Sequence, residues 1–330
     1  MSSTSMSLET LQFLLQHMDA NRRFEISNRC PALRAIDKSV PLKIKSLVFR
    51  ESCVIVNDTK YKIGVIRNYN VGETPDYVKE INKRGGVPQE VDRYGVFDKM
   101  DALAVTPGDV ELQSGRGREH EAMKQLATVL FGDRASPIYV TKLDVRISVV
   151  RLPVGVKFHI QQLMFYGCVE KTLEALAPVI HESSYPFKKL DISYLLVKET
   201  TNPHVRAAGT LSIIVIFPNI LQLITAITNP VVSIILMTLS EQTLEGIIGN
   251  WIILKRPIGT EHTFLIQLEP HFVDEMEDIL KRLNGVPVDD GNVIIPMSDD
   301  TQLKISYGPF PEFAPRCSWA VKFLTEAIDH

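Results

Sequence analysis

From Ala207 to Ser240 the chain carries no charged residue, and Ile, Leu and Val dominate the stretch. A run of that kind is either buried inside a protein or passed through a membrane. A spanning helix needs about 20 consecutive apolar residues. Pro218-Asn219 and Asn229-Pro230 cut this run into pieces over 211–217, 219–228 and 231–240, each too short to span. The residue before a proline is pushed out of the helical region, and these pairs read as punctuation between elements. No basic cluster flanks either end to set an orientation across a bilayer. The run therefore predicts a buried strand–helix–strand unit and no membrane span. It also predicts an aggregation hazard if the domain opens.

The same rhythm extends on both sides. Apolar periodicity predicts strands over 143–147, 156–163, 190–195, 211–217, 231–236 and 262–268. Helices are expected over about 119–131, 169–181, 219–227, 240–254 and 271–283, with Ser240 as an N-cap. Strand starts recur every 20 to 30 residues or so, a period that suits stacked strand–helix repeats burying their faces on one another. Short strands over 293–295, 303–306 and 318–323 follow. The expected class is α/β, or α+β: an irregular leucine-rich-repeat-like solenoid with a C-terminal β cap. A compact α/β sandwich is the competing architecture.

The N-terminal part is organised differently. Leu8, Leu11, Leu14, Leu15 and Met18 fall at helical spacing, and Asp19-Ala20-Asn21 then breaks the run. Pro41 stops anything helical, and 42–49 opens by alternating apolar with polar as a half-buried strand does. Residues 53–56 and 60–66 flank Asn57-Asp58-Thr59 as a hairpin. Between 68 and 118, Gly72, Pro75, Gly85, Gly86, Pro88, Pro107, Gly108, Gly115 and Gly117 accumulate, and an irregular, partly mobile insertion is expected. The expected divisions are a helical module over 1–41, a first strand and hairpin over 42–67, the insertion over 68–118, and a repeat-like α/β domain over 119–330.

Several blocks carry a resemblance. They are Met18-Asp19-Ala20-Asn21-Arg22-Arg23, Arg29-Cys30-Pro31-Ala32-Leu33-Arg34 and Lys38-Ser39-Val40-Pro41-Leu42 at the start. Gly85-Gly86-Val87-Pro88 with Asp92-Arg93-Tyr94-Gly95, Leu130-Phe131-Gly132-Asp133-Arg134 and Asn202-Pro203-His204-Val205 follow in order. Asn250-Trp251 through Lys255-Arg256-Pro257-Ile258-Gly259-Thr260 completes the set. Together they resemble the nematode F-box C proteins over nearly the whole chain. The resemblance implies a non-catalytic adaptor that docks on a Skp-type protein and brings an unknown substrate protein to a cullin-based ubiquitin ligase. It also implies that the apolar stripe Leu8, Leu11, Leu15 and Met18 is the partner-binding face. An F-box usually opens with Leu-Pro, whereas here Glu9 follows Leu8. The alternative is a protein-binding or structural module with a degenerate F-box and no ubiquitin role.

Signatures of catalysis are sparse. The chain has no G-x-S-x-G elbow, H-E-x-x-H pair, Walker loop or kinase set. No enzyme activity, catalytic residue or cofactor is expected. Cys30, Cys53, Cys168 and Cys317 are scattered without a C-x-x-C pair. They read as free thiols in a reducing compartment, cytoplasmic or nuclear. A net charge of −3 gives no long-range pull toward nucleic acid or an anionic membrane, so neither is expected as a partner. Ser114 to Glu119, with two arginines and two glycines, is a flexible loop or an anion contact. His181-Glu182 is either an acid–base pair or a helix C-terminal cap, the commoner reason for such a histidine. Asp289-Asp290 and Asp299-Asp300 lack the alternating oxygen ligands of a calcium loop and read as solvated turns. Trp251 reads as core.

Overall fold

The computed structural model describes residues 6–50, 53–66, 75–83, 87–88, 102–107, 112–113, 119–147, 149–215, 220–236, 239–266, 272–289, 291–310 and 319–328. The chain is mixed α/β and divides into two compact units. One comprises Met1–Met164 with Ala175–Ser184, and the other Phe165–Glu174 with Tyr185–His330.

The first unit opens with three short helices, α1 (Leu8–His17), α2 (Ala20–Arg29) and α3 (Pro31–Ser39). Each start has a local cause. The Ser7 hydroxyl accepts from the Thr10 N–H at α1, and the Asp19 carboxylate accepts from the Asn21 N–H at α2. Pro31 occupies the first turn of α3, where its missing N–H costs nothing. Asp19-Ala20-Asn21 is thus a helix start, where the sequence suggested only a break in the run.

Strands β1 (Lys43–Arg50), β2 (Cys53–Val56) and β3 (Thr59–Ile66) follow. The β2–β3 hairpin turns at Asn57, whose φ of 52° suits asparagine far better than a β-branched residue. After them come α4 (Asp76–Lys83), β4 (Val87–Pro88), β5 (Ala102–Pro107), β6 (Leu112–Gln113), α5 (Glu119–Phe131), β7 (Ile138–Val145) and β8 (Phe158–Phe165). The strand order is β8-β7-β1-β2-β3-β5-β6, with β4 beside β3. The stretch 68–118, expected to be irregular, therefore carries regular structure among its described residues. Its β5 pairs antiparallel with β3 from Tyr61↔Pro107 to Ile66↔Ala102. That pairing comes from the free edge of β3, which local composition cannot reveal.

The second unit contains the N-terminal part of α6 (Val169–Leu176), then β9 (Lys189–Ile192), α7 (Pro203–Ala207), β10 (Thr210–Val215), α8 (Ile220–Ala226), β11 (Val231–Leu236), α9 (Glu241–Leu254) and β12 (Glu261–Ile266). It ends with α10 (Phe272–Arg282), β13 (Val286–Asp289), β14 (Asn292–Pro296), β15 (Thr301–Pro309) and β16 (Trp319–Ala327). The order is β13-β14-β15-β16-β12-β11-β10-β9. Strands β9 to β12 run parallel, and β12 to β13 along that order are antiparallel. The sheet stays open.

The uncharged run is the strand–helix–strand unit β10–α8–β11, and Leu211, Ile213, Leu223, Ile224, Val232 and Ile234 within it are buried. In register, Leu190, Leu211, Val232 and His262 form one row, and Ile192, Ile213, Ile234 and Phe264 the next. Both rows lie on the covered face of the sheet. Gly246 lets α9 approach α8, since a Cβ there would stand 3.0 Å from the Leu221 side chain. Trp251 closes this core. Its ring stands edge-on to His262 at 4.7 Å and to Phe323 at 5.4 Å, and its indole N–H donates to the Thr325 hydroxyl at 3.0 Å. Among the described residues, no helix is long and apolar enough to cross a membrane.

Candidate interaction site

The residues expected to form one docking face are split by the structure. Leu15 is 1% exposed and packs inward, while Leu11 and Met18 are half-buried and Leu8 is 57% exposed. Exposed apolar side chains stand instead at Phe13 and Leu14 of α1 and at Met6 before its cap. Met6 is 58% exposed, Phe13 61% and Leu14 43%, and the Phe13 ring stacks against His17 at 4.4 Å. Sequence periodicity found an apolar helix but could not say which edge the body would claim. Phe13 was missed because it lies off the stripe that begins at Leu8.

Polar contacts explain why α2 and α3 hold their place on the first unit. The Arg23 guanidinium, 1% exposed, donates to the Asp37 carboxylate at 2.6 Å and to the carbonyls of Asp37, Val40 and Pro41. Arg134, beyond the end of α5, donates to the other Asp37 oxygen at 2.9 Å. Burial pushes the Arg134 pKa down, against the Asp37 charge that supports it. Lys38 pairs with Asp133 at 2.9 Å. At the hairpin, the Asn57 side chain donates to Asp19 at 2.8 Å and its oxygen accepts from the N–H groups of Lys45 and Ser46. Asn21 donates to the Val56 carbonyl and accepts from the Tyr61 hydroxyl. Burial, with Asp19 and Glu25 nearby, raises the Tyr61 pKa, so the phenol stays a donor. Residues 19–23, 37–41 and 133–134 thus meet in space as a structural fastening. A cavity of about 520 Å³ opens beside it, lined by Arg22, Phe24, Glu25, Asp58, Tyr61 and Val129 among others.

In the second unit the other face of the sheet offers a separate surface. Across it runs a row of polar side chains, Asp191–Ser212–Ser233–Thr263–Lys322–Ser306–Asn292, taken strand by strand from the pairing register. Beside it, Leu265, Ala320 and Gly308 form a low floor. The hollow over this face measures about 530 Å³. Lys322 is held to Glu261 at 2.8 Å and Lys189 to Asp191 at 3.1 Å, so the charges on the face are largely self-paired.

Other positions singled out in the sequence fall as follows. Residues 114–118 and Asp290 lie outside the described residues. The helix ending at Leu176 stops short of His181, because Pro178 cannot continue it. His181 therefore does not cap a helix; its backbone pairs with Phe158. Asp289 accepts from the Asn292 side chain. Asp299 and Asp300 are exposed. Among the described residues, no group of three or more His, Cys, Asp or Glu side chains is placed to hold a metal ion. Asn229, read from the sequence only as punctuation, and Glu199, not singled out there, both make buried contacts. Asn229 donates its amide to the carbonyls of Val205 and Ala208, and Glu199 accepts from the N–H groups of Val169 and Leu196. Both tie loops of the second unit together.

No curated protein and no solved structure matches the chain. A family model does match its central part, which includes α5 through β12. That model is described as a domain of unknown function, DUF3557, and it matches residues 118–267.

Proposed function

We propose that this chain is a non-catalytic protein-interaction adaptor, resembling the substrate-recognition subunit of a cullin-based ubiquitin ligase. The observation that carries the reading is the outward edge of α1. Phe13 and Leu14 of α1, with Met6 just before its cap, present large apolar side chains to solvent, and Leu8 is exposed at its first turn. Exposed apolar patches mark interaction sites, and an amphipathic helix docks by laying such an edge into a groove. In this reading α1 to α3 are the F-box-like module, and the partner is a Skp-type adaptor. The parallel run β9 to β12 is the repeat-like, leucine-rich-repeat-like body, and its open face takes the substrate protein through many small contacts.

The test is co-purification with the Skp adaptor beside a standard F-box protein as control. The intact chain is expected to retain the adaptor, and Phe13→Asp with Leu14→Asp to release it while the fold survives. An intact chain that fails to hold the adaptor removes the ligase role.

A second reading is favoured by a different observation. The helical module is bound into its own unit through Asp37, Asn21 and Asn57, and Glu9 stands where an F-box usually has proline. On that reading the chain binds proteins without any link to ubiquitin. Target capture by a chain that never retains the adaptor would separate the two.

A further inference from the structure

Two histidines of the first unit converge on one atom. His159 lies on β8, and its Nδ1 is 2.7 Å from the Ser183 hydroxyl oxygen. The Nδ1 of His181 is also 2.7 Å from that oxygen. The Ser183 backbone N–H donates to the same His181 nitrogen at 3.3 Å, which makes that nitrogen an acceptor. The polarity of the chain follows: His159 N–H donates to the hydroxyl, and the hydroxyl donates to His181.

The backbone under these rings is firmly held. Phe158 N–H donates to the Val179 carbonyl at 2.8 Å, and His181 N–H returns to the Phe158 carbonyl at 2.8 Å. The buried Ser184 hydroxyl accepts from the Ile160 N–H at 3.0 Å and donates to the Phe158 carbonyl at 3.2 Å. Tyr139 of β7 packs its ring on His159 at 5.2 Å. Both imidazoles are half-buried and Ser183 is exposed, so the point where they meet is open to solvent.

We propose that His159 and His181 chelate a borderline divalent transition-metal ion, Zn²⁺ being the representative. Two imidazole nitrogens aimed at one point from a rigid backbone have most of the ordering cost of chelation removed in advance. Zinc–imidazole bonds are about 2.0–2.1 Å, so the ion sits between the rings where the Ser183 hydroxyl now lies. That hydroxyl turns aside or becomes a weak third ligand, and water completes the tetrahedron. His181 already offers its lone pair, and His159 needs only to move its proton from Nδ1 to Nε2. Imidazole ligands select Zn²⁺, Ni²⁺ and Cu²⁺ over Mg²⁺ and Ca²⁺, which prefer oxygen. The ion would clip β8 to the segment after α6 within the first unit. It needs no catalytic role and is independent of whether α1 binds an adaptor.

The experiment is titration of the untagged full chain with zinc chloride, by calorimetry and by thermal unfolding. One ion per chain is expected, with a rise in Tm of about 2–4 °C at saturation. The rise should be reversed by EDTA and absent with magnesium chloride. His159→Ala and His181→Ala should each weaken uptake at least tenfold, whereas Ser183→Ala should keep it. If an alanine variant does not fold, His159→Gln or His181→Gln takes its place. Absence of saturable uptake, or uptake that survives loss of either histidine, overturns the proposal.

Discussion

The residue with the most consequence in the first unit is Asp37. It lies between two guanidinium groups, 2.6 Å from Arg23 and 2.9 Å from Arg134, and all three side chains are almost fully buried. Removing one partner from a buried ion network strands the remaining charges, at a cost of about 3–5 kcal/mol. Asp37→Ala is therefore expected to lower unfolding stability by that order, read from urea midpoints at constant slope. A loss below about 1 kcal/mol would show that the network contributes little. In the second unit His262 is the titrating counterpart. Burial, and then the nearby Arg256 charge, lower its pKa to about 3. An unfolded imidazole titrates near 6.5, so on acidification the unfolded state takes up the proton first. Its contribution is complete above about pH 6.5 and is lost as the pH falls toward 3. Between pH 7.5 and pH 5 that amounts to about 2 kcal/mol. His262→Gln should flatten this part of the stability profile; an unchanged slope would refute the assignment. Neither role was legible in the sequence. Asp37 stands 14 residues from one partner and 97 from the other, and no spacing rule links them.

At the scale of elements, α1 shows what periodicity can and cannot decide. A helix at the start followed from the apolar spacing, and the structure bounds it at Leu8–His17. Its orientation did not, because apolar side chains line two edges and only packing chooses between them. Leu15→Ala is expected to cost about 2–5 kcal/mol, as for other buried leucines. Phe13→Asp with Leu14→Asp should stay within about 0.5 kcal/mol of the parent, as exposed substitutions usually do. Equal losses in chemical denaturation would mean that the outward edge is covered. Strand β5 makes a similar point from the other side. The glycines and prolines of the 68–118 stretch around it read as irregular, yet the free edge of β3 supplied a partner along its whole length. The helix expected to reach 181 stopped at Leu176, a boundary that Pro178 had marked in the sequence.

For the whole molecule, the uncharged run supplies much of the buried core of the second unit. Strands β10 and β11 have a parallel neighbour on both sides, and α8 lies between them in the chain. In hydrogen exchange their amides are expected to be among the slowest of the chain, opening only with their unit. Rapid exchange there, comparable to α1, would contradict this account of the core. The sequence by itself determined that the 207–240 run must be interior, where turns interrupt it, and that strands and helices alternate around it. These follow from local rules, since charge, proline and apolar period act within a few residues. Tertiary structure alone decided which edge of α1 faces water, that 102–107 joins a sheet, and that Arg23, Asp37 and Arg134 share one buried site. It also decided that His159 and His181 point at the same oxygen. Each of those depends on residues far apart in the chain being brought within a few ångströms, and proximity of that kind leaves no period to read.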